Sequence, residues 1–149
     1  MKLSLNINND RIQITKLLDF KIWDLLYRLN PDIIFMYKCI HQTDLCLECI
    51  LQFVPISFFP SFYIHKKITK ENNTFMSESI SSGEDDVFIE NNCVKLDTLH
   101  DHIQITGTDH NVNIDITFEL PEESKLLEPA IKNIFKKMFH RIKIYIESL

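Results

Sequence analysis

The sequence predicts an α+β fold in which a curved antiparallel sheet wraps around one long C-terminal helix. Two observations carry that prediction. The run Val112-Asn113-Ile114-Asp115-Ile116-Thr117-Phe118-Glu119-Leu120 alternates strictly between apolar and polar residues and stops at Pro121, the pattern of a strand with one buried face. After it, Leu127, Ile131, Ile134, Met138, Ile142, Tyr145 and Leu149 recur at spacings of three or four, widened by Ala130, Phe135, Phe139 and Ile146. That is the stripe of an amphipathic helix. Pro129 marks its first turn, because the N–H that proline lacks would have no intrahelical partner there. Lys132, Lys136, Lys137, Lys143 and Glu147 fall on the other side. Such a helix, roughly 30 Å long at about 1.5 Å per residue, crosses a whole sheet.

The upstream elements follow the same two periods. Leu3, Leu5 and Ile7 alternate with polar neighbours and define a first strand ending at Asn8-Asn9-Asp10. A helical region comes next, with Leu18, Ile22, Leu25, Leu26 and Leu29 on one face. Asn30-Pro31 closes it, since the residue before proline is driven out of the helical conformation. Residues 33–41 and 45–54 read as strands around the turn Gln42-Thr43-Asp44; in the second, Leu45, Leu47, Cys49, Leu51 and Phe53 share a face opposite Glu48 and Gln52. Ile56-Ser57-Phe58-Phe59, between Pro55 and Pro60, fits neither period and reads as a bent connection or a lip. Further strands are expected at 62–68, 74–80, 88–96 and 102–106, with turns at Glu71-Asn72-Asn73, Gly83-Glu84-Asp85-Asp86 and Gly107-Thr108-Asp109. The order is strand, helix, about six antiparallel strands and a long helix, and such a sheet buries one face against that helix.

Composition narrows the function classes. The 149 residues, 45% apolar and 11% aromatic, suit one domain over 1–149 with a single core. No apolar leader and no apolar run near ~20 residues is visible, so neither a signal peptide nor a membrane span is expected, and a cytoplasmic location follows. A net charge of -5 argues against nucleic acid as a partner, since phosphate binding draws on clustered Lys and Arg. Four cysteines without a secretory leader read as reduced thiols. The two glycines, Gly83 and Gly107, leave no glycine-rich phosphate loop, and no cofactor is expected.

Chemistry-bearing residue types are sparse. Cys39, His41, Cys46 and Cys49 have metal-ligand character, but residues three apart on a strand point to opposite faces, so no metal site is expected at Cys46-x-x-Cys49. His100 and His102 flank Asp101, and His110 follows Asp109; these read as solvated turn residues. No nucleophile or metalloprotease motif is present. Glu90 and Asn92 stand at alternate positions between Phe88 and Val94, so they project to one side of their strand. Facing the interior, they would be the polar handle of an apolar pocket, and a desolvated Glu90 would have a raised pKa.

Three stretches resemble a known superfamily. Phe75 through Gly83 is similar to its aromatic-led strand ending in glycine, Ile116-Thr117-Phe118-Glu119-Leu120-Pro121 resembles its last strand, and Ile134-Phe135-Lys136-Lys137-Met138-Phe139-His140-Arg141 resembles its closing helix. The superfamily is that of the helix-grip, or START/Bet v 1/polyketide-cyclase-like (SRPBCC), domains, and the likeness is nearest to the bacterial cell-division-inhibitor-like subgroup. After Gly83 that subgroup carries proline, an aromatic, tryptophan and two histidines, where this chain has Glu84, Asp85, Phe88, Glu90 and Asn92. The resemblance implies a helix-grip fold with a cavity between sheet and helix for lipids, polyketides or other apolar molecules.

Three functions are therefore open. In the first, an apolar or amphipathic small molecule is bound, without catalysis, by Phe88, Glu90, Asn92, Ile114, Ile116, Phe118, Ile131, Ile134, Phe135 and Met138. The second is a polyketide cyclase or dehydratase using Glu90 as acid or base. The third is a partner module that docks an acidic protein surface through Lys132, Lys136, Lys137 and Arg141.

Overall fold

Residues 1–55, 60–80, 93–97 and 99–149 are described by a computed structural model. The elements are β1 (Lys2–Asn8), α1 (Ile14–Leu17), α2 (Lys21–Leu29), β2 (Ile34–Gln42), β3 (Cys46–Phe53), β4 (Phe62–Glu71), β5 (Thr74–Ser79), β6 (Val94–Lys95), β7 (Leu99–Gly107), β8 (Asn111–Glu119), a 3-10 segment (Glu122–Leu127) and α3 (Glu128–Glu147). Among the described residues the strands form one sheet in the order β1-β8-β7-β5-β4-β3-β2, with β6 beside β4. This is the expected α+β helix-grip arrangement, a curved antiparallel sheet holding a long C-terminal helix. Pro129 sits in the first turn of α3, as its missing N–H requires.

Register lines up the apolar positions. Leu3 lies opposite Ile116, Ile116 opposite Ile103, and Ile103 opposite Phe75, so one row of apolar side chains crosses four neighbouring strands. Leu5, Ile114 and Ile105 make the next row. Against this face α3 buries Ile131, Met138, Phe139, Ile142 and Ile146.

Several expectations need correction. The first helical region is two helices, and Trp23 is buried where the stripe placed Leu25 and Leu29, which are half-buried. The cause is aromatic packing: the Trp23 and Phe20 rings meet Phe75 edge-on at 5.3 and 5.6 Å, a larger buried area than a leucine offers. Leu45 is 64% exposed because it precedes β3 in the turn, where the Thr43 N–H donates to the Cys46 carbonyl. On the other face of β3, Gln52 is buried. Tyr145 and Leu149 are exposed, since they lie at the flank and end of the α3 stripe. Of the strand expected at 88–96, Val94 and Lys95 form β6, which runs parallel to Phe62 and Tyr63 of β4 rather than antiparallel. It occupies the side of β4 that β5 borders further along, at Lys66 to Glu71. Residues 56–59 and the Gly83 turn lie outside the described residues.

One flank of α3 is tied to the α2–β2 connection. The Arg141 guanidinium donates to Asp32 Oδ2 at 2.9 Å and to Asn30 Oδ1 at 3.0 Å, and it also pairs with Asp32 Oδ1. The buried Asn30 in turn donates from Nδ2 to the Leu26 carbonyl at 2.8 Å. Arg141 holds the Asp32 carboxyl at about 2, below its ordinary 3.8. A lowered carboxyl pKa stabilises the folded chain above the ordinary value, and that contribution is lost as pH falls through the folded one.

Two measurements check these points. Gly107 has φ 104°, and an added Cβ would lie 2.3 Å from the Asn111 carbonyl oxygen. Gly107→Ala should therefore cost about 1 to 3 kcal/mol, seen as a lower melting temperature; no change would show that the β7–β8 turn relaxes freely. For Arg141→Met, Asp32 is half-exposed, so the pH-dependent loss at pH 7 should be within ~1 kcal/mol. The gap between parent and variant in urea unfolding should narrow as pH drops from 3.8 toward 2. A gap that stays constant over that window would dissociate Asp32 from the effect.

Candidate functional site

Where β3, β4, β7 and β8 curve toward α2 and α3, the interior is incompletely filled. A cavity of about 50 Å³ is bordered by Leu51 and Phe53 of β3, Ile64 and Lys66 of β4, Ser77 of β5, Asp101, His102 and Ile103 of β7, Ile116, Thr117 and Phe118 of β8, Trp23 and Leu26 of α2, and Phe135, Met138 and Phe139 of α3. Its wall is predominantly apolar. The Phe135 ring lies 4.9 Å from Phe118 and 6.4 Å from Phe53, while Phe53 stacks on Phe62 at 4.6 Å.

Lys66 and Asp101 break that apolar wall. The Lys66 ammonium donates to Asp101 Oδ2 at 2.6 Å, and the two residues are 9% and 8% exposed. The sheet explains how they meet. Lys66 lies on β4 and Asp101 on β7, two strands apart with β5 between them, a separation of roughly 10 Å at the usual strand spacing. On β5 the residues opposite them are Ser79, beside Lys66, and Ser77, beside Asp101. These small side chains let the lysine reach across. Two charges desolvated together are tolerated because each satisfies the other, whereas either alone would be strongly destabilising. Two of the three N–H bonds of the ammonium are not taken up by a described residue.

Sequence reasoning missed this pair. Asp101 was expected in a solvated turn between His100 and His102, yet β7 begins at Leu99 and carries all three. The available signal was phase: Phe62, Ile64, Lys66 and Ile68 occupy alternate positions, as do Asp101, Ile103 and Ile105. A charge in the apolar phase of a strand is a buried charge. His110 is also more than a turn residue. Its Nδ1 lies 2.7 Å from the Ile12 carbonyl oxygen and 3.2 Å from that of Asn9, tying the β7–β8 turn to the segment before α1.

The residues named from sequence are partly brought together. Ile116, Phe118, Phe135 and Met138 border the cavity. Ile114 and Ile131 are buried in the core away from it, and Ile134 is half-buried. Phe88, Glu90 and Asn92 lie outside the described residues. The basic group on α3 divides: Arg141 turns to Asp32, Lys132 and Lys136 face a groove beside β1, and Lys137 borders that groove while its ammonium lies 3.6 Å from Asp32.

Cys46 and Cys49 point apart on β3, Cys49 buried and Cys46 half-buried. Desolvation pushes the Cys49 thiol up to about 12, the opposite of what a thiolate ligand needs. Among the described residues no three His, Cys, Asp or Glu side chains converge as metal ligands.

No family model matches the sequence, and no curated protein matches it. Solved structures do. The human StarD13 (DLC2) lipid transfer and protein localization domain has a TM-score of 0.66 at 11% identity, over 99% of this chain and 77% of that one. A STAR-related lipid transfer protein from Xanthomonas axonopodis gives 0.69 at 10% identity, over 97% of this chain and 84% of that one. The chain has the helix-grip fold of the SRPBCC proteins. Truncated norcoclaurine synthase from Thalictrum flavum, at 17% identity and a TM-score of 0.59 over 98% of this chain and 91% of that one, has the same fold. At these identities the likeness reaches the SRPBCC fold and nothing finer, so the cell-division-inhibitor-like subgroup rests on sequence motifs alone.

The ion pair gives a double-mutant test. Asp101→Leu leaves Lys66 without its counter-charge and should cost about 3 to 5 kcal/mol. The double variant Lys66→Met/Asp101→Leu should recover most of that loss in urea unfolding. Additive losses would mean that the two side chains act independently.

Proposed function

We propose that this protein binds an apolar or amphipathic small molecule, such as a lipid or polyketide, between the concave face of the sheet and α3. The observation that carries the proposal is the Lys66–Asp101 pair, a buried polar feature set in an apolar cavity. Pockets for small molecules combine apolar walls with a few placed polar groups that fix orientation. Lys66 and Asp101 take the orienting role that the sequence suggests for Glu90 and Asn92. Ile116, Phe118, Phe135 and Met138 contact the apolar part. Because the pair is net neutral, it suits a polar end without charge, such as a hydroxyl or carbonyl; a carboxylate would add a negative charge beside Asp101. Structural likeness to lipid transfer domains supports the same reading. A cytoplasmic setting belongs to the proposal on cysteine usage alone.

The cavity, at about 50 Å³, is smaller than the roughly 300 to 1,000 Å³ of ordinary ligand sites. Uptake therefore requires Phe135 and Met138 to move aside as α3 parts from the sheet. No described residue set favours the cyclase alternative, whose proposed acid or base is Glu90.

Nile red fluorescence and native mass spectrometry test the proposal. The parent should bind Nile red, and native spectra of gently purified protein should carry a small-molecule adduct. Met138→Trp, which places bulk in the cavity, should weaken dye binding at least tenfold while costing less than the ~1 to 3 kcal/mol of core overpacking. A parent that binds no dye, together with a variant that loses the full overpacking amount, would assign Met138 to plain core and end the proposal.

A further inference from the structure

Among the described residues, β1 is an edge strand, bordered by β8 on one side and by no strand on the other. Odd-numbered residues at this edge turn their backbone groups toward β8: the Met1 carbonyl accepts from the Phe118 N–H at 3.0 Å, and the Asn9 N–H donates to the His110 carbonyl at 2.9 Å. Even-numbered residues therefore turn theirs outward. Near the end of the strand α3 satisfies them, since Glu147 accepts from the Asn8 N–H at 2.9 Å and the Lys143 ammonium donates to the Asn6 carbonyl. At Lys2 and Ser4 no helix side chain does so among the described residues. There a groove of about 650 Å³ separates β1 from α3.

Leu3, Leu5 and Phe139 border this groove, and Lys2, Lys132, Lys136 and Lys137 give it positive potential. Among the described residues, Lys2, Lys132 and Lys136 have no acidic partner. The contrast with a chain of net charge -5 makes the patch a local attractor for anions rather than a general one. Among the described residues, a strand edge without a partner strand, apolar side chains and a basic wall coincide here.

We infer that this groove takes an extended acidic segment of a partner polypeptide, which adds a strand beside residues 2–4 and sets its carboxylates against Lys132 and Lys136. Strand addition supplies main-chain hydrogen bonds, and flanking side chains select the sequence. A bilayer surface offers the charge but no row of N–H and C=O groups to pair with the edge. Arg141 takes no part, being held by Asp32 on the opposite flank of the helix.

The probe is a fluorescein-labelled hexapeptide of alternating glutamate and valine, followed by anisotropy at low ionic strength. It should bind the parent protein with Kd below about 1 mM, and Lys132→Glu/Lys136→Glu should weaken binding about tenfold. The fully N-methylated peptide keeps the charges and loses the N–H donors, and it too should bind about tenfold more weakly. In 15N spectra the Ser4 amide should shift on binding. The N-methylated comparison uses unaltered protein, so its outcome does not depend on how the lysine variant folds. Equal binding of the two peptides would overturn strand addition. No binding of either, or cosedimentation with phosphatidylserine vesicles while the peptide stays inert, would overturn the polypeptide partner.

Discussion

Burial of the α3 stripe in the hollow of the sheet is the constraint on which the rest of this structure depends. The stripe buries Ile131, Met138, Phe139, Ile142 and Ile146, five large side chains whose removal from water stabilises the fold by roughly 1.5 to 3 kcal/mol each. A helix buried this way must also satisfy its polar flanks. On one side Arg141 ties it to Asn30 and Asp32; on the other, Lys143 and Glu147 bond the backbone of β1. At its C-terminal half the helix is thus fixed to the edge strand β1 on one side and to the α2–β2 connection on the other. Around its middle, Phe135, Met138 and Phe139 border unfilled space instead.

Near the end of α3, Ile142 and Ile146 are fully buried, while the middle of the helix borders the cavity whose wall also holds the ion pair. A buried ion pair contributes little net stability compared with apolar residues of the same size. In the function proposed above, the Lys66–Asp101 pair instead orients the polar group of an otherwise apolar ligand. The serines of β5 fit this role, because bulk at those positions would separate lysine from aspartate.

Much of the fold was legible because it depends on local periodicity. The alternation in 112–120, the helical stripe after Pro129 and the Asn30-Pro31 stop all survive in the structure. Where the pattern misled, a contact distant in sequence had overridden it: Trp23 turns inward to reach Phe75, and the His100-Asp101-His102 cluster belongs to a strand. Of the candidate site, Ile116, Phe118, Phe135 and Met138 were legible because a residue's phase on its own element tells which way it faces. Phase marked Lys66 and Asp101 as buried charges, but their pairing was not legible, since they lie on strands far apart in the chain.

By itself the sequence determined the elements, their buried faces, the long helix and the negative overall charge, because each is set by residues close together in the chain. Tertiary structure alone decided which residues share the cavity and which basic side chains remain available. Lys66 meets Asp101 only when β5 lies between β4 and β7, and Lys136 parts from Arg141 only when Asp32 reaches one flank of α3. Both outcomes depend on strand order and on the rotation of a helix against a sheet, which no local pattern specifies.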